Sequence, residues 1–173
     1  MNVVVAYESM YGNTRQIAEA IADALKPLGK VEVASVNAGE GDAADDADVL
    51  IVGGPTHMHG LATSMSRKGV GAGAKEEGID LEPGAADGPG LRKWLSERDG
   101  KDRKAAAFDT RIDKPPVLTG TAARGIAKRL RHRGYDVVAD AESFFVDDTE
   151  GPLAEGELER AKAWGASLAE KLG

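Results

Sequence analysis

The chain has 173 residues, with 22 Lys and Arg against 29 Asp and Glu, a net charge of −7, and no cysteine. Disulfides, zinc–thiolate centres, iron–sulfur clusters and thiol nucleophiles are excluded, and the acidic balance opposes attraction to nucleic acid or anionic lipid. A single domain over residues 1–173 is expected at this length. The apolar opening Val3, Val4, Val5, Ala6 is too short for a signal core, and no apolar run approaches the ~20 residues of a membrane span, so a cytoplasmic protein is expected.

In chain order, residues 3–6 read as a first strand. Ile17, Ile21 and Leu25 then repeat at helical spacing, and Val31, Glu32 and Val33 alternate as an edge strand does. Residues 49–52 form a second continuous apolar run. Residues 69–90 follow, rich in glycine with Pro83 and Pro89, and read as a long inserted loop placed to fold over a ligand or to lie on the surface. Leu91, Trp94 and Leu95 share a helix face, residues 105–108 are a third apolar run, and Ile126 and Leu130 share the next helix face. Residues 135–146 mix Val137, Val138, Phe144 and Phe145 with Asp136, Asp140 and Glu142 as a half-covered strand. Leu158, Ala161, Trp164, Leu168 and Leu172 mark a last helix. Continuous apolar runs suit strands covered on both faces. The alternation predicts an α/β fold, a doubly wound five-stranded parallel sheet with right-handed crossovers.

Ligands of such sheets bind beyond the C-terminal strand ends, here after Tyr7, Gly54 and Phe108. Ser9, Met10, Tyr11, Gly12, Asn13 and Thr14 lead straight from the first strand into the Ile17 helix. They supply hydroxyls, an amide, a permissive glycine and free N–H groups where the helix dipole favours an anion. Ordinary helix capping accounts for the same residue types.

The stretch 9–14 resembles the phosphate loop of flavodoxins, Ser/Thr-x-Thr-Gly-Asn-Thr, which wraps the phosphate of FMN; Tyr11 replaces a threonine, and Arg15 stands where relatives often carry an acid. Pro55, Thr56, His57, Met58, His59 and Gly60 resemble the first flavin loop of the same family, and Phe108, Asp109, Thr110 and Arg111 fall where the second is expected. The resemblance implies strand order 2-1-3-4-5, FMN as cofactor, and electron transfer between redox partner proteins. The flavin ring would be stacked by His57, Met58 or His59 on one side and Phe108 or Thr110 on the other. Gly60 is the residue whose peptide would reorient towards reduced flavin. With few aromatics in these loops, a bound flavin should have a less negative potential than one held between aromatic rings, an effect Asp109 would oppose.

Two other functions stand beside this one. An NAD(P)H-dependent FMN reductase or quinone oxidoreductase shares the fold and the Pro-Thr start of the loop, with NAD(P)H as a further partner. A flavodoxin-fold interaction module without flavin would also fit Tyr11 and the missing aromatics. Residues 69–74 match the loose dinucleotide pattern G-x-G-x-x-G/A without a preceding strand, and His57 and His59 alone make a poor metal site. Arg124, Lys128, Arg129, Arg131 and Arg133 make one helix basic, whereas residues 140–159 hold acids and no Lys or Arg. A solvated helix face opposite Ile126 and Leu130 explains the basic run, and docking of an acidic partner or a nucleotide phosphate is the alternative.

Overall fold

The computed structural model describes residues 1–57 and 59–173, so Met58 lies outside the described residues. The first half contains β1 (Asn2–Tyr7), α1 (Asn13–Leu25), β2 (Lys30–Ser35), β3 (Val49–His57), β4 (Gly60–Leu61) and α2 (Ser64–Glu77). It continues with α3 (Gly90–Ser96), β5 (Lys104–Ile112), α4 (Pro116–Thr119), α5 (Ala122–His132), β6 (Asp136–Val137), β7 (Glu142–Val146) and α6 (Glu157–Leu172).

Strands β2, β1, β3 and β5 lie side by side in parallel, and β6 and β7 share the place beyond β5. With β6 and β7 taken as one interrupted strand, the order is the expected 2-1-3-4-5. The interruption has a local cause. Val137 faces Ala105 and Glu142 faces Phe108, so four residues oppose the two that separate their partners, and the excess bulges from the edge.

Alternate residues of each strand feed opposite layers. Val4, Ala6, Leu50, Val52, Ala105 and Ala107 pack beneath α3 and α5, against Leu91, Trp94, Ile126 and Leu130. Val3, Val5, Val49, Ile51, Ala106 and Phe108 pack beneath α1 and α6, against Ile17, Ile21, Leu25 and Leu168. The stripes at four-residue spacing in α1 and α6 therefore meet the sheet as amphipathic helices do. Leu158 departs from its expected stripe and is exposed.

Residues 69–90 are not one loop. Gly69, Gly71 and Gly73 lie within α2, which a reciprocal Thr63–Ser66 capping box starts and Gly78, at φ 70°, ends. Only 78–89 is irregular. The dinucleotide-like pattern at 69–74 is thus helix interior, the wrong context for a phosphate-binding turn.

Phe108 lies in the sheet interior and is fully buried. It meets Phe144 and Trp164 edge to face, with ring centroids 6.2 and 6.3 Å away. Its ring lies against the backbone of Gly53 in the neighbouring strand, where a Cβ would come 2.0 Å from the ring edge. Gly53→Ala is expected to destabilise the fold by about 1–3 kcal/mol through overpacking, read as a lower urea midpoint at unchanged m value.

Candidate functional site

Strands β1, β3 and β5 end at one edge, and Ser9, Pro55 and Thr110 with the residues that follow them meet there. They border a cavity of about 600 Å³, within the range of cofactor sites. The first loop contributes Ser9, Met10, Tyr11, Asn13 and Thr14, β3 contributes Pro55, Thr56 and His57, and β5 contributes Thr110 and Arg111. Helix α2 forms a further wall through Met65, Ser66, Gly69 and Val70, and Val146 and Thr149 close the cavity from beyond β7.

Helices α1 and α5, which both begin at this edge, differ at their N-termini. In α5 the first three amides are taken up by the chain itself. Ala122 N–H donates to Thr56 Oγ1 (2.9 Å), Ala123 N–H to Asp109 Oδ2 (2.9 Å) and Arg124 N–H to Thr121 Oγ1 (3.2 Å). Helix α1 has no side-chain cap and no acid in its first turn. Among the described residues, no acceptor meets the N–H groups of Asn13, Thr14 or Arg15, nor those of Ser9, Met10 and Tyr11 before them. Gly12 makes this turn at φ 92°, a left-handed conformation that side chains resist, and its N–H donates to Ser9 Oγ at 3.0 Å. The result is a concave run of free backbone donors at the positive end of a 13-residue helix, an arrangement suited to an anion.

Side chains of the loop are tied to other elements. Thr14 Oγ1 and Thr110 Oγ1 lie 2.7 Å apart across the cavity floor, and Asn13 Nδ2 donates to the Glu150 carbonyl at 3.1 Å. Arg15 pairs with Glu82 at 2.9 Å and Glu19 at 3.1 Å. Glu82 N–H also donates to the Met10 carbonyl at 2.8 Å, so the 78–89 segment braces the first loop from outside. The Tyr11 hydroxyl is held above its ordinary value by burial, with Glu150 and Glu77 adding to the rise. Arg111 is fixed by Ser143, Thr119 and the Lys114 carbonyl, with its guanidinium 5.0 Å from the Phe145 ring centre. His57 is half-buried in the wall. Burial chiefly, and the Arg67 charge secondarily, lower it below its ordinary 6.5, so it is neutral at pH 7.

Phe108 and Asp109, two expected flavin contacts, do not line the cavity. Strand β5 continues to Ile112, so Phe108 and Asp109 are still inside the sheet and only Thr110 and Arg111 reach the cavity. Phe108 points into the α1–α6 layer and cannot stack on a ligand. Asp109 is fully buried and accepts from Thr56 Oγ1 (3.1 Å) as well as Ala123 N–H; burial raises its carboxyl, and those hydrogen bonds only partly offset the rise. Its function is to hold Thr56 and α5 in place. His59, at φ 74°, and Gly60 turn β3 into β4 outside the cavity lining. Among the described residues of that turn His59 is left-handed, and Gly60 pairs with His57 across the hairpin.

Sequence reading missed α2, Val146 and Thr149. The strand-end rule applied to the fifth strand would have reached the last two; α2 gave no such signal. It also missed Glu8, fully buried one residue beyond β1. Glu8 Oε2 accepts from Leu91 N–H at 3.0 Å, and Oε1 faces Arg67 Nε of α2 at 3.6 Å. Arg67 also donates to the Gly88 carbonyl, and Asn37 holds Gly90 N–H at 2.9 Å. Burial raises the Glu8 carboxyl despite the Arg67 charge and the hydrogen bond from Leu91 N–H.

The family profile described as Flavodoxin domain matches residues 4–67. No curated protein sequence matches the chain. Among solved structures, oxidised Flavodoxin 1 from Bacillus cereus is 21% identical, with a TM-score of 0.69 over 100% of both chains. A flavodoxin from the domain Archaea is 22% identical, with a TM-score of 0.65 over 99% of both. The flavodiiron protein from Giardia intestinalis is 19% identical with a TM-score of 0.62, covering 98% of this chain and 36% of that one. These structures share the fold.

Breaking a buried ion pair from one side leaves a stranded charge, which costs about 3–5 kcal/mol. Arg67→Met is expected to lose that much in urea unfolding, and Glu8→Gln combined with Arg67→Met to recover most of it. Additive losses would show that Glu8 and Arg67 act independently.

Proposed function

We propose, for a chain whose residues 4–67 match a flavodoxin-domain profile and whose fold is shared with flavodoxins over its whole length, that the cavity holds FMN and that the protein carries electrons between redox partners. The unpartnered N–H groups of Ser9, Met10, Tyr11, Asn13, Thr14 and Arg15 are the observation that carries this reading. It offers charge-assisted hydrogen bonds to a phosphate, with the Thr14 hydroxyl beside it. α5, whose first amides are already satisfied, offers nothing comparable.

The remaining lining suits a flat, largely apolar ring edged by polar groups. Met65, Val70, Pro55 and the Tyr11 side chain give contact area, and neutral His57, Thr56, Thr110 and Arg111 give hydrogen-bonding partners. Bound FMN supplies one- and two-electron transfer. The chain's own residues bind the phosphate, orient the ring and limit water. Tyr11 is the single aromatic among the cavity-lining residues described, so the ring environment is poor in aromatic contact, the condition for a less negative potential. The NAD(P)H-dependent reductase reading has no separate observation in its favour.

The purified protein is expected to turn yellow with FMN and to keep flavin absorbance through gel filtration, without oxidising NADPH when a quinone is added. A colourless eluate would overturn FMN binding. Rapid NADPH oxidation would overturn the carrier assignment in favour of the reductase.

A further inference from the structure

Between α3 and α5, Arg92 and Ser96 of α3 and Arg129, His132 and the following Arg133 of α5 line a cleft of about 230 Å³ floored by Leu95. It shares no lining residue with the large cavity. Three arginines and a histidine converge on this one small cleft. Elsewhere Arg15, Arg67, Arg98 and Arg160 meet carboxylates, while Arg103, Arg111, Arg124 and Arg131 meet none among the described residues but do not share a cleft with one another. Among the described residues, none of the cleft's four basic side chains has a carboxylate partner.

The guanidinium groups are nevertheless held. Arg92 donates to the carbonyls of Leu61 and Ala62, Arg129 to that of Gly125 and Arg133 to that of Arg98. Each such bond uses only part of a five-donor fork, so donors remain on three pre-positioned side chains. The helix dipole accounts for cations in the last turn of α5. It does not account for Arg92, which sits in the first turn of α3, where the dipole disfavours a cation. Burial, and Arg92 after it, depress the Arg129 guanidinium below its ordinary value; this like-charge crowding is relieved when an anion lies between the two.

We propose that the cleft between α3 and α5 is an anion site that takes the phosphate group of a small molecule on Arg92, Arg129 and Arg133. Forked guanidinium donors match phosphate oxygens two at a time. The volume admits a phosphate or diphosphate group and falls short of a whole cofactor site, so any organic portion of the ligand extends outwards.

The test is titration of ¹⁵N-labelled protein with inorganic diphosphate, and separately with adenosine diphosphate, at ionic strength held constant with sodium chloride. Saturable amide shifts are expected at Ser96, Gly125 and Gly134. Arg129→Gln should weaken binding at least about tenfold, the loss of one charge-assisted contact, and Arg124→Gln, exposed on the same helix outside the cleft, should leave it unchanged. Tighter binding of adenosine diphosphate would identify a nucleotide as the source of the phosphate, and equal binding a free oligophosphate. Shifts confined to residues 9–15, shifts that do not saturate, or equal weakening by both variants would overturn the proposal.

Discussion

A buried carboxylate at the end of the first strand holds this edge of the sheet together. Glu8 fixes the start of α3 through Leu91 N–H and anchors α2 through Arg67, with Asn37 from beyond β2 completing the cluster around Gly90. Helix α2 needs such an anchor. Arg67 and Ala74 are its only buried residues, and its three interior glycines weaken it by about 1 kcal/mol each relative to alanine. Helix α2 is one wall of the cavity, so the shape of the site depends on a charge pair that the cavity itself does not contain.

Asp109 does for the other side what Glu8 does for the first. It sits at the C-terminal half of β5, takes the Thr56 hydroxyl and the Ala123 amide on one oxygen, and so joins β3, β5 and α5. These internal bonds consume the donors of α5 and leave those of α1 free. The polarity of the site follows: between these two helix starts, an anion is favoured at the 9–15 turn and not at α5.

Much of this was legible in the residues themselves. The apolar runs at 3–6, 49–52 and 105–108 marked buried parallel strands because both sheet faces are covered, and the four-residue spacings of Ile17 and of Ile126 marked the helices that cover them. The first loop was legible because its donors are consecutive in the chain. The errors came from strand length. β5 runs to Ile112, so Phe108 is still subject to strand alternation and faces the same layer as Ala106. The cavity begins two residues later, at Thr110. The Glu8–Arg67 pair joins residues distant in the chain, and no local pattern announces it. Glycines at 69, 71 and 73 suggested a loop, and the capping box at Thr63 and tertiary anchoring at Arg67 overrode that weak propensity.

The central claim is that the free amides at the start of α1 recognise a phosphate. Comparison of FMN with riboflavin, which has the same ring and no phosphate, tests it by flavin-fluorescence quenching on titration with the protein. The account predicts that FMN binds at least about a hundredfold more tightly, as two or more charge-assisted hydrogen bonds require. Equal affinity for the two flavins would contradict it.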